Sequence, residues 1–442
     1  MEKAFQATTS EAASPRTAYK PSINVAQAPP MGAPLLYVAA AYGFLAAAAV
    51  LAVVNAPWLA RGDYASPRVV VVVHLVTLGF LSMTAMGLLQ QWVPVVLDVP
   101  AVSIRRAAWG FAGYALAVVG FAWGIAHQQG MVLGISGILL AAAIVWWSAG
   151  VLTQLVRSTK PRDAVHWGIG AAVLGFNATW MLGLWLGLAL AAGRPGGPVL
   201  RVHIATALVG WLGILVFTVQ LKLVPMFAMA KLTAADSRRL GMALGLAGAG
   251  VLIAWVSMGA PRTVESMGAA LWTAAVILAI IQLARVVRRG KTPRFDRVFV
   301  GVAAGWGLLL AAAAASLWLD PLAVVLALWG LIVLIFSYQA RIVPFIVAGS
   351  AAKRQAGPPF NAFYLARAMQ AESQPVVAAV LGWAGAVLAV WGQVRGSPGC
   401  DVASGLTLLG LLGWQVAGVG AALWRGRRGP VRAPAAGAGP TL

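Results

Sequence analysis

Twelve long apolar stretches, each of roughly 20 to 30 residues, constrain the fold of this chain more than any other feature. The hydrocarbon core of a bilayer is roughly 30 Å thick, and a helix of about 20 apolar residues crosses it. Because no water reaches that core, a spanning backbone must satisfy its own hydrogen bonds, which favours helices. We therefore predict an all-α, polytopic integral membrane protein. The predicted spans are 34–58, 69–97, 106–126, 131–156, 165–191, 201–230, 239–258, 264–288, 298–319, 321–348, 374–394 and 403–424.

The composition excludes two broad classes of protein. Hydrophobic residues make up 61% of the chain and charged residues only 10%, whereas soluble domains are about half apolar and a quarter charged. The formal net charge of +21 does not indicate nucleic-acid binding, because the basic residues lie between apolar stretches and form no soluble basic face. The sequence thus argues against a soluble enzyme and against a nucleic-acid partner, and it makes the lipid bilayer the first partner.

Several kinds of chemistry are excluded by residues that the chain lacks. The single cysteine, Cys400, rules out a disulfide scaffold, a cysteine-ligated iron–sulfur cluster and a CxxCH haem attachment. There is no Gly-x-x-x-x-Gly-Lys-Ser/Thr phosphate loop. All 11 carboxylates fall in tails, loops or span ends, so we do not expect a proton pump. No residue pattern assigns a catalytic step.

The basic residues predict the orientation of the spans. With the N-terminus in the cytoplasm, 24 of the 32 Lys and Arg residues lie on the cytoplasmic side and six on the outer side. This asymmetry follows the positive-inside rule and supports an even number of spans. We expect disordered cytoplasmic tails at 1–33 and 425–442 around a transmembrane domain at 34–424. Short loops and the lack of targeting signals favour a prokaryotic plasma membrane.

Three spans end alike, which predicts an internal repeat. Spans 2, 6 and 10 each end with a polar or basic residue, an apolar residue and then Val-Pro, at Pro94, Pro225 and Pro344. These prolines are 131 and 119 residues apart, and each interval holds four spans. We therefore expect three pseudo-repeated four-helix units, at about 34–156, 165–288 and 298–424.

Two histidines occupy matching places in the repeat. His74-Leu-Val-Thr opens span 2 and His203-Ile-Ala-Thr opens span 6, with His-to-Pro spacings of 20 and 22 residues. At 1.5 Å per residue, their depths agree within roughly 3 Å, near the outer face. An ionisable residue inside a span indicates function, and a neutral imidazole ligates metals and haem. His74 and His203 are therefore the candidate cofactor-binding and metal-binding residues, although either ring could instead face interfacial water.

Other polar or small residues in the spans allow weaker interpretations. Ala85 and Gly210 share helical-wheel faces with the two histidines and could leave room for a flat ligand, or could mark helix contacts. Lys222 and Arg341, three residues before their repeat prolines, are expected to snorkel to the interface. The remaining histidines, His127 and His166, are expected at membrane interfaces.

Taken with the stretches 74–83 and 203–227, this pattern resembles subunit I of the haem–copper oxidase superfamily. That superfamily includes the nitric oxide reductases, and the pattern is also similar to the NnrS-type haem and copper proteins of the nitric oxide response. The resemblance implies that His74 corresponds to a haem ligand and His203 to a copper ligand. It also implies a full oxidase centre with further histidines on spans 7 and 10, but spans 7 to 12 contain no histidine.

The resemblance therefore predicts a degenerate oxidase-like protein that binds haem or copper near the outer face. Its function would be electron transfer or the handling of nitric oxide or oxygen, without the full oxidase active site. The alternative is a metal-free membrane transporter or an accessory scaffold that keeps only the fold. The accessory-subunit interpretation implies a respiratory-complex subunit or a cytochrome as protein partner.

Overall fold

The computed structural model describes residues 30–191, 194, 196–291, 296–317, 320–354, 366 and 369–427. These residues form helices and connecting turns without any strand. Twelve helices are long and apolar enough to cross a membrane, which confirms the predicted all-α, twelve-span class. They are α1 (Gly32–Val54), α2 (Pro67–Leu97), α3 (Ile104–Ala126), α4 (Gly130–Arg157), α5 (Ala164–Ala191), α6 (Gly197–Ala228), α7 (Ala234–Val256), α8 (Arg262–Arg288), α9 (Val298–Ala315), α10 (Asp320–Arg354), α11 (Gln374–Arg395) and α12 (Pro398–Arg427).

Most helix ends agree with the predicted spans to within a few residues. The largest differences are at α10, which continues to Arg354, and at α7 and α12, which begin at Ala234 and Pro398. The predicted tails lie mostly outside the described residues, since the described chain ends at Arg427 and begins at residue 30.

Small residues bring neighbouring helices close together, as expected where lipid supplies no hydrophobic drive for helix association. Gly250 of α7 faces Gly268 of α8 so closely that a Cβ on Gly250 would lie 2.8 Å from the Gly268 carbonyl oxygen. Substituting either glycine would push the two backbones apart. At this contact the two glycines therefore allow α7 and α8 to approach closely.

Helices α2 and α6 contain a π-helical segment and are otherwise α-helical. The π segment of α2 is Leu75–Ser82, and that of α6 is Thr206–Gly213. The first begins directly after His74 and the second three residues after His203. Each is eight residues long. Short π segments inside α-helices are uncommon and are frequent at functional sites.

The three repeat prolines lie inside helices, but their helices end differently. α2 and α6 stop three residues after Pro94 and Pro225, and the next residues, Asp98 and Met229, adopt the left-handed conformation with φ of 56° and 53°. α10 instead continues for ten residues beyond Pro344. The ends of α2, α6 and α10 that carry these prolines are called the proline end below, and the opposite ends of the same helices the histidine end.

Lys222 and Arg341 form ion pairs at the proline end. Lys222 Nζ lies 3.5 Å from Asp163 Oδ2, and Arg341 pairs with Asp296. Both aspartates also accept hydrogen bonds from the first backbone amides of a helix, Asp163 at α5 and Asp296 at α9. The expected snorkelling is therefore an incomplete account, because each basic side chain is directed to a specific carboxylate.

Candidate functional site

The structure brings His74 and His203 together. Their imidazole ring centroids are 6.3 Å apart, and the ring planes are inclined by only 22°. Both side chains are partly buried between α2 and α6. The sequence alone left open whether the two rings approach each other, since they belong to different predicted four-helix units. The structure shows that the His74 and His203 rings meet at the histidine end of α2 and α6.

Each ring is oriented by a hydrogen bond from its Nδ1. His74 Nδ1 lies 2.8 Å from the Val70 carbonyl oxygen, one turn earlier in α2. His203 Nδ1 lies 3.1 Å from the Thr179 carbonyl oxygen of α5. A carbonyl can only accept, so both Nδ1 atoms carry the proton and each neutral ring keeps a lone pair on Nε2. This is the tautomer and the outer hydrogen bond that metal-ligating histidines usually have.

Neighbouring helices complete the walls around the two rings. Phe121 of α3 packs against His74 with ring centroids 5.3 Å apart. Gly183 of α5 faces His203, and a Cβ at this position would lie 3.2 Å from His203 Cε1. The absence of a side chain at Gly183 therefore leaves the space that the His203 ring occupies.

Gly210, one of the two small residues expected to make room beside the histidines, does not do so. Gly210 packs directly against α5. A Cβ on Gly175 of α5 would clash with the Gly210 carbonyl oxygen. The expectation for Ala85 relied on the same α-helical register. A π segment lies between Ala85 and His74 and changes the residue spacing, so the expectation for Ala85 stays a prediction. Three groups around the pair were not identified from the sequence: the Phe121 ring, Gly183 and the backbone carbonyl of Thr179.

The two π segments are tied to each other and to their neighbours. Trp211 Nε1 donates to Ser82 Oγ at 3.0 Å, and each of these residues lies eight positions after its own histidine. Tyr114 of α3 donates to the Leu78 carbonyl in the first segment, and Trp255 of α7 donates to Thr206 Oγ1 at the start of the second. These bonds hold the two interrupted helices in register across their interface.

The other two histidines lie apart from this pair. His127 is exposed in the turn after α3 and stacks on Trp123 at 3.9 Å. His166 lies in the first turn of α5, at the proline end, and its Nδ1 has no hydrogen-bond partner in the described chain. The exposure of His127 fits the expected interfacial place, whereas His166 is only 8% exposed.

The separation of the paired rings matches what a shared metal ion requires. A metal–imidazole bond of about 2.0 Å, with about 1.1 Å from nitrogen to ring centre, gives about 6.2 Å between two rings on opposite sides of one ion. The observed separation is 6.3 Å. Among the described residues, no group of three or more His, Cys, Asp or Glu side chains could hold a metal. The pair can thus supply two nitrogen ligands and no third side chain of these types.

A haem fits this site less well than a bare ion. Cofactor pockets typically enclose several hundred cubic ångströms. Two cavities among the described residues are small and lie at the proline end, lined by residues such as Gln90 and Gln220. The rings are instead enclosed by direct contacts with Phe121 and Gly183. A porphyrin would have to displace these contacts, whereas a single ion needs far less space.

Comparison with known proteins adds no further identification. No protein-family model matches the chain, and no curated protein matches it.

Proposed function

We propose that this chain is a membrane protein of the haem–copper oxidase type that holds one copper ion between His74 and His203 and handles a diatomic gas such as nitric oxide. The observation that carries the proposal is the pair of imidazole rings, with centroids 6.3 Å apart and planes inclined by 22°, whose Nδ1 atoms are both engaged by backbone carbonyls. Two such rings offer two Nε2 lone pairs to one ion.

The donor set favours copper over other common metals. Imidazole is a good ligand for copper, zinc, iron and nickel. Zinc sites in proteins almost always have at least three protein ligands. Cuprous copper, by contrast, is stable with two nitrogen ligands arranged in a line. The pair has no third His, Cys, Asp or Glu ligand among the described residues, so two-coordinate copper accounts best for the geometry.

The protein's own groups hold and orient such an ion. The Val70 and Thr179 carbonyls fix the tautomers, Phe121 limits rotation of the His74 ring, and Gly183 admits the His203 ring. Copper held by His74 and His203 would supply one-electron chemistry toward a diatomic ligand. Oxygen reduction by the full oxidase mechanism is not part of the proposal, because α7 to α12 carry no histidine.

The proposal includes the finer architecture. Three four-helix units are supported by the shared proline endings and by the two equivalent ion pairs, Lys222–Asp163 and Arg341–Asp296. The excess of basic residues on one side supports cytoplasmic termini in a prokaryotic plasma membrane. The histidine end then lies near the outer face, where a cytochrome or a respiratory complex can exchange electrons with the site.

The test is metal analysis of the detergent-purified, full-length protein after titration with cuprous ion. We expect one copper per chain and a copper K-edge spectrum typical of two-coordinate Cu(I). His74→Ala and His203→Ala should each abolish stoichiometric binding, because one imidazole cannot hold the ion alone. His127→Ala is the matched control, since it removes an exposed histidine outside the pair and should retain full binding.

Three results would overturn the assignment. Copper retained in both alanine variants would exclude the pair as ligands. A pyridine haemochrome showing one haem per chain, lost in His74→Ala, would replace copper with bis-histidine haem and favour electron transfer. Neither metal nor haem in a monodisperse preparation would favour the metal-free transporter or scaffold.

A further inference from the structure

Each predicted four-helix unit carries a buried glutamine on its second helix and another on its fourth. All six lie in the halves of these helices nearer the proline end, far from the histidine pair. The pairs are Gln90 with Gln154, Gln220 with Gln282, and Gln339 with Gln415.

In the third unit the pair is closed by direct hydrogen bonds. Gln415 Nε2 donates to Gln339 Oε1 at 3.3 Å, and Tyr42 of α1 donates to the same oxygen at 2.7 Å. Gln374 Nε2 donates to the backbone carbonyl of Gln415 at 3.3 Å. These bonds join the two amides directly through Gln339 Oε1, while Gln339 Nε2 has no partner among the described residues.

In the first two units the paired glutamines line a small cavity and make no bond to each other. Gln90 and Gln154 line a cavity of about 20 Å³, and Gln220 and Gln282 line one of about 10 Å³. The first cavity is also lined by Trp147 of α4. A cavity of about 10–15 Å³ is the smallest that holds a water molecule.

Residues that line both cavities have buried polar atoms without a hydrogen-bond partner. Gln90 Oε1 and Trp147 Nε1 have no partner in the first unit, and neither do Gln220 Oε1 and Gln282 Oε1 in the second. A buried polar atom without a partner costs roughly 1–3 kcal/mol. One water can accept from the indole and donate to the Gln90 oxygen, and one water can donate to both oxygens of the second pair.

We infer that the first and second predicted units each bind one structural water, between Gln90 and Trp147 in the first and between Gln220 and Gln282 in the second. In the second unit this water takes the place of the direct amide–amide bond of the third. The inference does not depend on the metal site, because the two cavities lie at the other end of α2 and α6.

The sign of a stability change tests the second cavity. If a water bridges the pair, Gln282→Leu removes one of its partners and lowers the apparent melting temperature in detergent, by about 2 °C. If the cavity is dry, the same variant removes an unpaired buried oxygen and raises that temperature. Gln415→Leu is the control, because it removes a donor bonded to Gln339 and Tyr42 and should lower the melting temperature.

Hydroxyl-radical footprinting in ¹⁸O-labelled water tests the first cavity on the unaltered protein. A bound water generates radicals beside Trp147, so we expect oxidation of this buried indole within milliseconds of X-ray exposure. Trp211 is the matched control, being only 1% exposed and hydrogen-bonded to Ser82. Gln90→Leu should abolish the labelling of Trp147.

Equal labelling of Trp147 and Trp211 would overturn the inference for the first unit. A higher melting temperature for Gln282→Leu would overturn it for the second. Neither result would bear on copper binding at His74 and His203, and loss of copper binding would leave both water sites as proposed.

Discussion

Helices α6 and α10 are alike at the proline end and different at the histidine end. Both have a glutamine five residues and a basic residue three residues before the repeat proline, and both basic residues pair with an aspartate. At the other end, α6 carries His203 and a π segment, whereas α10 has no histidine and is α-helical over Asp320–Arg354. The proline ending therefore does not cause the π segment.

Helix α2 sharpens this comparison. It has His74 and a π segment but no basic residue in its proline ending, where Gln91 takes that position. The π segment thus accompanies the histidine and not the ion pair. The three helices share the Val-Pro sequence at the proline end. The candidate site uses only α2 and α6, which carry a histidine and a π segment at the opposite end.

The largest expected effect comes from removing one residue of a π segment. A π segment corresponds to one residue inserted into an α-helix, so deleting Leu208 should restore a continuous α-helix in α6. The residues before the deletion then rotate by about 100° relative to those after it. We expect His203 to turn away from His74 and stoichiometric copper binding to be lost, with a monodisperse protein still obtained.

The matched change is deletion of Leu328 in α10. Because α10 has no π segment, this deletion rotates one part of an α-helix against the other. We expect that deletion to abolish the yield of monodisperse protein. If both deletions are tolerated equally, or if the α6 deletion keeps its copper, the π segment does not set the position of His203.

The next effect concerns the stability of the two ion pairs. Arg341 and Asp296 are 16% and 13% exposed at their side chains, whereas Lys222 and Asp163 are 30% and 42% exposed. Arg341→Gln should lower the free energy of unfolding by about 2 kcal/mol because a nearly buried carboxylate loses its partner. Lys222→Gln should cost less than about 1 kcal/mol, as for an exposed pair.

Denaturant titration in mixed micelles measures both values, and Asp296→Asn combined with Arg341→Gln isolates the pair energy. Equal losses for Arg341→Gln and Lys222→Gln would show that burial does not distinguish the second and third units.

A smaller effect is expected on metal affinity alone. In Gly183→Ala the new methyl group would lie 3.2 Å from His203 Cε1, so the ring must shift by a few tenths of an ångström. We expect copper affinity to fall by about tenfold, the lower end of the range for altered support of a ligand. Gly187→Ala, one turn further along α5 with open space around its Cβ position, should leave the affinity unchanged.

Competition with a cuprous chelator measures this affinity. An unchanged value for Gly183→Ala would mean that His203 moves freely and that α5 does not position it.

The smallest effect is expected where the two π segments meet. Ser82→Ala removes the acceptor of the Trp211 indole and leaves that buried donor unpaired, which should cost about 1 kcal/mol of stability. The two π segments are then less tightly held, so copper affinity should also fall. The fall should be smaller than for Gly183→Ala, because Ser82 and Trp211 each lie eight residues after their histidine, whereas Gly183 faces the His203 ring. A larger fall in affinity than in Gly183→Ala would make this bond, and not α5, the main support of the pair.

The fold was largely predictable from the sequence, whereas the surroundings of the site were not. Span positions follow from apolar length, and His74 and His203 were identifiable because polar residues inside spans are rare. Gly183 and Phe121 could not be found, because nothing in their own sequence context distinguishes them from other packing residues of α5 and α3. Helical-wheel reasoning failed at Gly210, since it assumes 3.6 residues per turn across a segment that is π-helical.

The aspartates that begin α5 and α9 have a consequence for how the chain enters a membrane. Each accepts hydrogen bonds at the start of one helix and pairs with a basic side chain near the end of the next. Start and end lie on the same side of the bilayer only when the second helix has crossed back completely. Each ion pair can therefore form only when both helices of its hairpin span the bilayer completely. Formation of the pair stabilises the fully inserted hairpin and no partly inserted one.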